Sequence, residues 1–285
     1  MTTANRANDE QAILWSGQAG QAWVDAQGML DATFRPLLDR LLMDMDLPSQ
    51  GRVLDVGCGT GATTLAIAQR LEESGEALGV DLSAPMIAAA RARAARTGSP
   101  ARFLCGDAQR HAFEAERYDL VISRFGVMFF DDAIAAFGNL RRAAKSGALL
   151  RFIVWRSPEE NPFMTAAERA AAPLVPELPA RRPDAPGAFS FADRQVVQAV
   201  LQASGWGAIQ IRPVDFDCAF PASQLETYFT RLGPLGRVLA MVEPARRSPI
   251  VNTVRQAFEP YVQGDTVRFE AACWWVEARA VSGSP

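Results

Sequence analysis

Val53-Leu-Asp-Val-Gly-Cys-Gly-Thr-Gly61, running straight into Ala62-Thr-Thr-Leu-Ala-Ile-Ala-Gln-Arg-Leu71, decides the reading of this chain. A short apolar run ends in Gly57, and a helical pattern opens directly after Gly61. Glycines let the backbone turn tightly and approach a ligand with no Cβ in the way. The unpaired N–H groups of the helix start then face whatever lies there. Asp81 ends the next apolar run, 20 residues beyond Gly61. A carboxylate at the C-terminal end of a parallel strand faces the ligand crevice and can accept hydrogen bonds from both hydroxyls of a ribose. Asp107 closes a third run. The glycines alone also fit a dinucleotide pattern, Gly57-x-Gly59-x-x-Ala62, or a tight turn with no ligand at all.

Working outward, apolar runs at Val53–Val56, Ala77–Leu82, Arg102–Cys105, Tyr118–Ser123 and Ala148–Trp155 alternate with helical patterns at 62–71, 86–96 and 131–145. That alternation predicts βαβ units and a parallel sheet. Ser83 reads as an N-cap with Pro85 in the first turn. Upstream, Leu30, Phe34, Leu37, Leu38, Leu41, Leu42 and Met45 recur at helical spacing and predict one amphipathic helix over 29–45. Downstream, residues 156–187 hold seven of the 18 prolines, which predicts a loop able to act as a lid. Ser190-Phe-Ala-Asp193 resembles a capping box opening a helix that Gly205 stops. A strand at 208–220, helices over 222–263 and a long last strand at 266–281 complete the chain. The expected organisation is a helical N-terminal cap, 1–47, and a larger domain, 48–285. The larger domain includes the proline-rich loop, 156–190, and a substrate-covering insertion, 221–263. Periodicity alone does not give the strand order.

Composition narrows the class. With 49% hydrophobic and 21% charged residues, the chain can offset its ordering entropy, which excludes intrinsic disorder. A formal charge of −3 lacks the concentrated positive field that phosphate backbones require, so no nucleic-acid partner is expected. No apolar run approaches the ~20 residues of a bilayer span. The first residues lack the apolar core of a signal peptide. Cys58, Cys105, Cys218 and Cys273 lie far apart with no CxxC, against a zinc cage or disulfide framework and in keeping with a reducing cytoplasm.

Asp55, the alternating glycines, Asp81 in Gly79-Val-Asp-Leu-Ser-Ala-Pro-Met-Ile87 and the Gly106-Asp107-Ala108 triplet together resemble the class I S-adenosylmethionine-dependent methyltransferases over roughly residues 50–155. The resemblance implies a Rossmann-like α/β fold with a seven-stranded, mostly parallel sheet in the order 3-2-1-4-5-7-6, last strand antiparallel, with helices on both faces. It also implies S-adenosylmethionine as cofactor, left as S-adenosylhomocysteine. The Gly57, Gly59 and Gly61 backbone would run beside the methionine moiety, with Asp55 near its ammonium. Asp81 would hold the ribose beside Leu82, Asp107 and the Ala108 N–H would read the adenine edge, and Ser123 would line the cofactor. Trp15 and Trp23 would cap it or anchor the N-terminal segment.

The flanking Trp15-Ser-Gly-Gln-Ala-Gly-Gln-Ala-Trp23 and Ser123-Arg-Phe-Gly-Val-Met-Phe-Phe130 are most similar to bacterial small-molecule enzymes related to the ubiquinone/menaquinone C-methyltransferase group. No Asn/Asp-Pro-Pro-Tyr motif follows the fourth strand, and no Pro-Cys nucleophile is present. Paired glutamates of the arginine-methylating type are also missing between Ser123 and Phe130. Ser123 stands where magnesium-dependent catechol-type enzymes need a carboxylate, and Asp131 and Asp132 read as helix caps, so no metal is expected. His111, the sole histidine, reads as a surface or supporting residue. Candidate acceptor contacts are Arg124, which otherwise pairs at the surface, Phe125 and Tyr228, with Glu226 a weaker one. Phe163, Phe189, Phe220 and Phe229 add to an expected apolar or aromatic acceptor pocket. Arg91, Arg93 and Arg96 read as a solvated helix face. The expected activity is metal-independent methyl transfer to a small acceptor. A cofactor-binding regulatory protein on the same fold is the alternative, and a nicotinamide oxidoreductase the third reading.

Overall fold

The structure, a computed structural model, describes residues 11–43, 45, 50–179, 181–182 and 185–281. Its centre is one sheet. The strands β1 (Arg52–Val56), β2 (Glu76–Asp81), β3 (Arg102–Cys105), β4 (Tyr118–Arg124) and β5 (Ala144–Trp155) are parallel, and they end on one edge where the glycine loop lies. Asp55 of β1 is flanked in register by Gly79 of β2 and Ile122 of β4. Helices α4 (Ala62–Ala68), α5 (Ala84–Thr97) and α6 (Ala133–Ala143) are the crossovers. β6 (Trp206–Pro221), β7 (Val262–Gln263) and β8 (Thr266–Ala280) extend the sheet in antiparallel fashion, β8 lying between β5 and β6. The order is β3-β2-β1-β4-β5-β8-β6, with the two-residue β7 paired to β8 off this path. Setting β7 aside leaves the expected seven-stranded order. No described helix is long and apolar enough to cross a membrane.

The N-terminal region departs from the single helix expected over 29–45. After a helical stretch at 11–16 come α1 (Gln18–Asp25), α2 (Gln27–Thr33) and α3 (Arg35–Leu42). The break at Phe34 has a cause: Pro36 lacks an N–H and its ring would clash with the carbonyl four residues earlier, so the helix restarts. The apolar stripe survives the break. Leu30, Phe34, Leu37, Leu38, Leu41 and Leu42 are all buried against the sheet. The expected domain boundary at 47–48 lies outside the described residues.

Two further expectations are corrected. The proline-rich stretch is not all loop: α7 (Pro162–Ala171) forms within it, because Pro162 sits in the first turn, where a missing N–H leaves no bond unmade. Helix α8 (Arg194–Ala203) is capped by Asp193, whose side chain accepts from the Gln195 N–H at 2.7 Å. Ser190 instead donates to the Met128 carbonyl at 2.7 Å. The 221–263 region carries α9 (Leu225–Arg231), α10 (Gly233–Leu239) and α11 (Pro244–Ala257) and is mainly helical, as expected.

Candidate active site

At the edge of the sheet, the Gly57 and Cys58 N–H groups donate to the Val80 carbonyl at 2.8 and 3.1 Å, stitching the loop to β2. Gly57 has φ +67°, and a Cβ there would lie 2.4 Å from Gly126 Cα, so the turn after β4 packs directly on the loop. Ser123 pins that turn: its hydroxyl donates to the Val56 carbonyl at 2.7 Å and accepts from the Gly126 N–H at 3.1 Å. Phe125 is held at φ +68°, a strained conformation for an aromatic residue. Its ring stacks on Trp155 at 4.3 Å and its N–H donates to the Ile153 carbonyl at 3.0 Å. Strain retained against such packing is a mark of functional turns.

Each carboxylate has a distinct place. Asp55 is buried and accepts from the Thr64 hydroxyl at 2.6 Å. Burial pushes its carboxyl up to about 6, against the opposing pull of the Thr64 bond and the Arg124 charge. Asp81 accepts from the Gly59 and Ser83 N–H groups, both at 2.8 Å, and burial raises it despite those two bonds. It therefore braces the glycine loop. Asp107 accepts from the Gln109 N–H at 2.9 Å and lies 3.6 Å from Arg110. The buried Ala108 places its carbonyl on Asn139 Nδ2 at 2.8 Å.

The cap helices lie across this edge. Ser83 Oγ donates to the Trp15 carbonyl at 2.6 Å, and Ser16 Oγ donates to the Leu82 carbonyl at 3.4 Å. Gly20 makes the approach of α1 feasible: a Cβ there would sit 1.9 Å from the Trp15 carbonyl oxygen. The Trp15 ring meets Trp23 and Phe129 edge-on, at 5.9 and 5.1 Å. Arg93, expected on a solvated face, instead ties cap to loop. Its guanidinium donates to the Thr60 carbonyl at 2.8 Å and pairs with Asp31 of α2 at 2.7 Å. Arg91 and Arg96 are exposed, as expected, the former also donating to the Phe103 carbonyl at 2.8 Å. These long-range partners have no signature at helical spacing, which is why sequence reasoning missed them.

Between cap and loop is a cleft of about 70 Å³, room for a few waters and not for a nucleoside. Asp55, Gly57, Gly59, Trp23, Arg124 and Phe125 line it, joined by Leu30, Asp31 and Phe34 from the cap. Arg124 is thus in the cleft and not paired at the surface. Tyr228 is not among the lining residues. It packs on Phe163 and Phe220 at 5.2 and 5.3 Å, its hydroxyl 3.7 Å from Met164 Sδ, and burial raises it. Phe163 stacks on Phe269 at 3.9 Å and Phe229 on Phe258 at 5.7 Å, so the aromatics of α7, the insertion and β8 fill one another's space instead of walling a cavity. Phe189 lies under Arg181. Glu226 pairs with Arg255. His111 meets Phe113 edge-on at 4.6 Å, and Asp132 caps α6 through the Ala135 N–H at 2.9 Å.

A glycine loop at a strand–helix junction, flanked by carboxylates at the ends of β1 and β2, defines an α/β protein built around a nucleoside-bearing cofactor. The comparisons narrow this. A methyltransferase-domain family model matches residues 53–147. The aklanonic acid methyltransferase DauC of Streptomyces sp. strain C5 is 31% identical over 55% of this chain and 74% of its own length. Nocamycin O-methyltransferase of Saccharothrix syringae is 28% identical over 90% of this chain and 98% of its own. The YcgJ protein of Bacillus subtilis shares the fold, with a TM-score of 0.58 at 18% identity over 86% of this chain and 98% of that one. The chain belongs to the class I S-adenosylmethionine-dependent methyltransferases, and it is an enzyme of that family.

Proposed function

We propose that the chain methylates a small, partly apolar or aromatic molecule by in-line displacement and without a metal. The observation that carries this is the convergence of Asp55, Gly57, Gly59 and Arg124 on one cleft beneath the cap, with Asp81 bracing the loop through the Gly59 N–H. The residues present suit the cofactor. The Gly57–Gly61 backbone would take the methionine moiety, with Asp55 toward its ammonium and Ser123 holding the floor. Asp81 beside Leu82 would take the ribose, and Asp107 with the Ala108 N–H the adenine. Trp15 and Trp23 would close over it as part of the cap, which must swing aside for a ligand of that size to enter a 70 Å³ cleft.

When bound, the cofactor supplies an activated methyl group on a sulfonium, so the protein's main task is to align the acceptor at roughly 3 Å. Excluding water falls to the cap and the 221–263 insertion. Two relatives support a small-molecule acceptor by name, one as an O-methyltransferase and one acting on aklanonic acid. Free cysteines at all four positions suit a reducing compartment such as the cytoplasm. The test is calorimetric titration with S-adenosylhomocysteine against NAD, then labelled-methyl transfer with and without EDTA. Binding of the former alone and chelator-resistant turnover are expected. Binding of NAD alone, or loss of turnover on chelation with rescue by magnesium, overturns the reading.

A further inference from the structure

A cleft of about 70 Å³ admits no nucleoside, so part of the cap has to move before the cofactor enters. The three cap helices are not held alike. Helix α3 buries Leu37, Leu38, Leu41 and Leu42. Arg151 donates to its Leu41 carbonyl and to the Met43 carbonyl at 3.1 and 3.2 Å, and the Arg40 guanidinium lies 4.4 Å from the Trp275 ring. Helix α2 buries Met29, Leu30 and Thr33, and its Asp31 pairs with Arg93 of α5 at 2.7 Å. Helix α1 buries Gly20 and Ala22 alone. Among the described residues, no ion pair joins 11–25 to the rest of the chain. Its side-chain hydrogen bonds to other elements are two: Ser83 Oγ to the Trp15 carbonyl at 2.6 Å, and Ser16 Oγ to the Leu82 carbonyl at 3.4 Å. Segments with so little buried apolar surface and so few bonds are the ones that open locally.

The shorter of those two bonds has a defined chemistry. The Ser83 hydroxyl has one proton, which goes to Trp15, and its lone pair accepts the Met86 N–H at 3.3 Å as the N-cap of α5. Gly20 makes room for it: a Cβ there would lie 2.6 Å from Ser83 Oγ and 1.9 Å from the Trp15 carbonyl oxygen. At the other end of the segment, Ala26 closes α1 and opens α2 with no side-chain cap. A helix junction of this kind can absorb the change in φ and ψ that a hinge needs.

Resting on the methyltransferase reading above, we infer that residues 11–25 are a strap hinged at Ala26, and that Ser83 is its latch, a positioning residue that sets how often the cofactor site opens. Swinging the strap carries Trp23 away from the cleft, while Leu30, Asp31 and Phe34 of the anchored helices stay in its wall. The latch sits two residues beyond Asp81, whose carboxylate accepts the Ser83 N–H at 2.8 Å, so the strap closes directly over the expected ribose position. The same hydroxyl–carbonyl bond is made in the closed enzyme whether it is empty or loaded. It therefore has no preference between the two, and it slows entry and exit alike without changing affinity.

The test is stopped-flow mixing of the full chain with S-adenosylhomocysteine, followed by tryptophan fluorescence. Ser83→Ala removes the latch and also the N-cap of α5, so Gly20→Ala, which pries the latch from the α1 side, is run beside it. In both variants the association and dissociation rate constants rise together by about two- to tenfold, and Kd stays nearly constant. Proteolytic cleavage within 11–26 of the cofactor-free enzyme quickens by a similar factor, because it follows the open population. Arg40→Ala, which loosens α3 from Trp275, leaves both rate constants as they are. Rate constants that neither latch variant changes overturn the proposal while the methyltransferase reading stands. So does a raised Kd with unaltered association, which would make Ser83 part of the cofactor site and no gate. Arg40→Ala that speeds both rates as much as the latch variants would mean the cap moves as one body, which removes the hinge at Ala26. Wild-type enzyme that binds no S-adenosylhomocysteine fails the underlying reading instead.

Discussion

Two aromatic regions of this molecule have similar composition and opposite construction. Around Phe163, the rings of Phe220, Tyr228, Phe258 and Phe269 close on one another, with Phe163 1% and Phe258 0% exposed. Around Phe125, the rings of Phe34 and Trp155 are packed beside a cation, a strained backbone and a cleft. In the first region every aromatic face meets another, so removing a ring costs stability and little else. In the second, polar groups keep unused bonding capacity, so a substitution should cost binding more than stability. Aromatic content by itself therefore does not locate an acceptor pocket.

The sharpest way to break the comparison is Phe163→Ala. Loss of a fully buried ring should cost about 3–5 kcal/mol. Chemical denaturation would show this, with S-adenosylhomocysteine affinity intact; a lost affinity with stability preserved would mean this aromatic cluster belongs to the site after all. Asp81→Asn is the counterpart on the cleft side. It should weaken S-adenosylhomocysteine at least tenfold, at about 1.5–3 kcal/mol per charge-assisted bond. A melting shift of a few degrees should accompany it, because Asp81 also accepts the Gly59 and Ser83 N–H groups.

A pH series gives an intermediate effect. Burial raises Asp55 to about 6 in the folded chain, against 3.8 as the ordinary value. The raised value means the folded state favours the protonated form. That contribution to apo stability is complete below 3.8 and disappears as pH rises through about 6. An ammonium needs the ionised form, so affinity for S-adenosylhomocysteine should fall about tenfold between pH 7 and pH 5. Asp55→Asn should flatten both profiles; a slope unchanged by the substitution would place the titration elsewhere. The smallest effect expected is from Tyr228→Phe, because the hydroxyl's partner is a thioether sulfur at 3.7 Å. Turnover and melting temperature should both be close to wild type, and a large drop in turnover alone would return Tyr228 to the acceptor pocket.

The core was legible in the chain because local rules govern it. Alternating apolar runs, the glycine turn and Asp81 at a strand end all act within about 30 residues, the span of a βαβ unit. Phe34 shows where that legibility stops. Leu30, Phe34, Leu37 and Leu41 keep one face across the helix break, so periodicity reports the stripe and is silent on the kink made by Pro36. Pro162 shows the converse, since counting prolines ignores that one in a first turn starts a helix. Helical spacing puts Arg93 on a helix face and the end of the fourth strand puts Arg124 beside Ser123, and neither names a partner. Their partners Thr60, Asp31 and Phe34 come from other elements, and only the folded chain brings them together.

The carbonyls at the ends of the cap helices carry one more consequence. Arg124 of β4 accommodates the Phe34 carbonyl, Arg151 of β5 takes those of Leu41 and Met43, and Arg70 takes that of Leu42. Helix C-termini are stabilised by such cations, and here the cations come from the sheet and its first crossover. The cap therefore has an order of assembly written into it. Its helices gain their terminal partners only once β4 and β5 are paired, so they dock late, onto a finished surface. Leu37→Ala should accordingly speed unfolding and leave the refolding rate nearly unaltered, the kinetic mark of a segment that joins after the rate-limiting step.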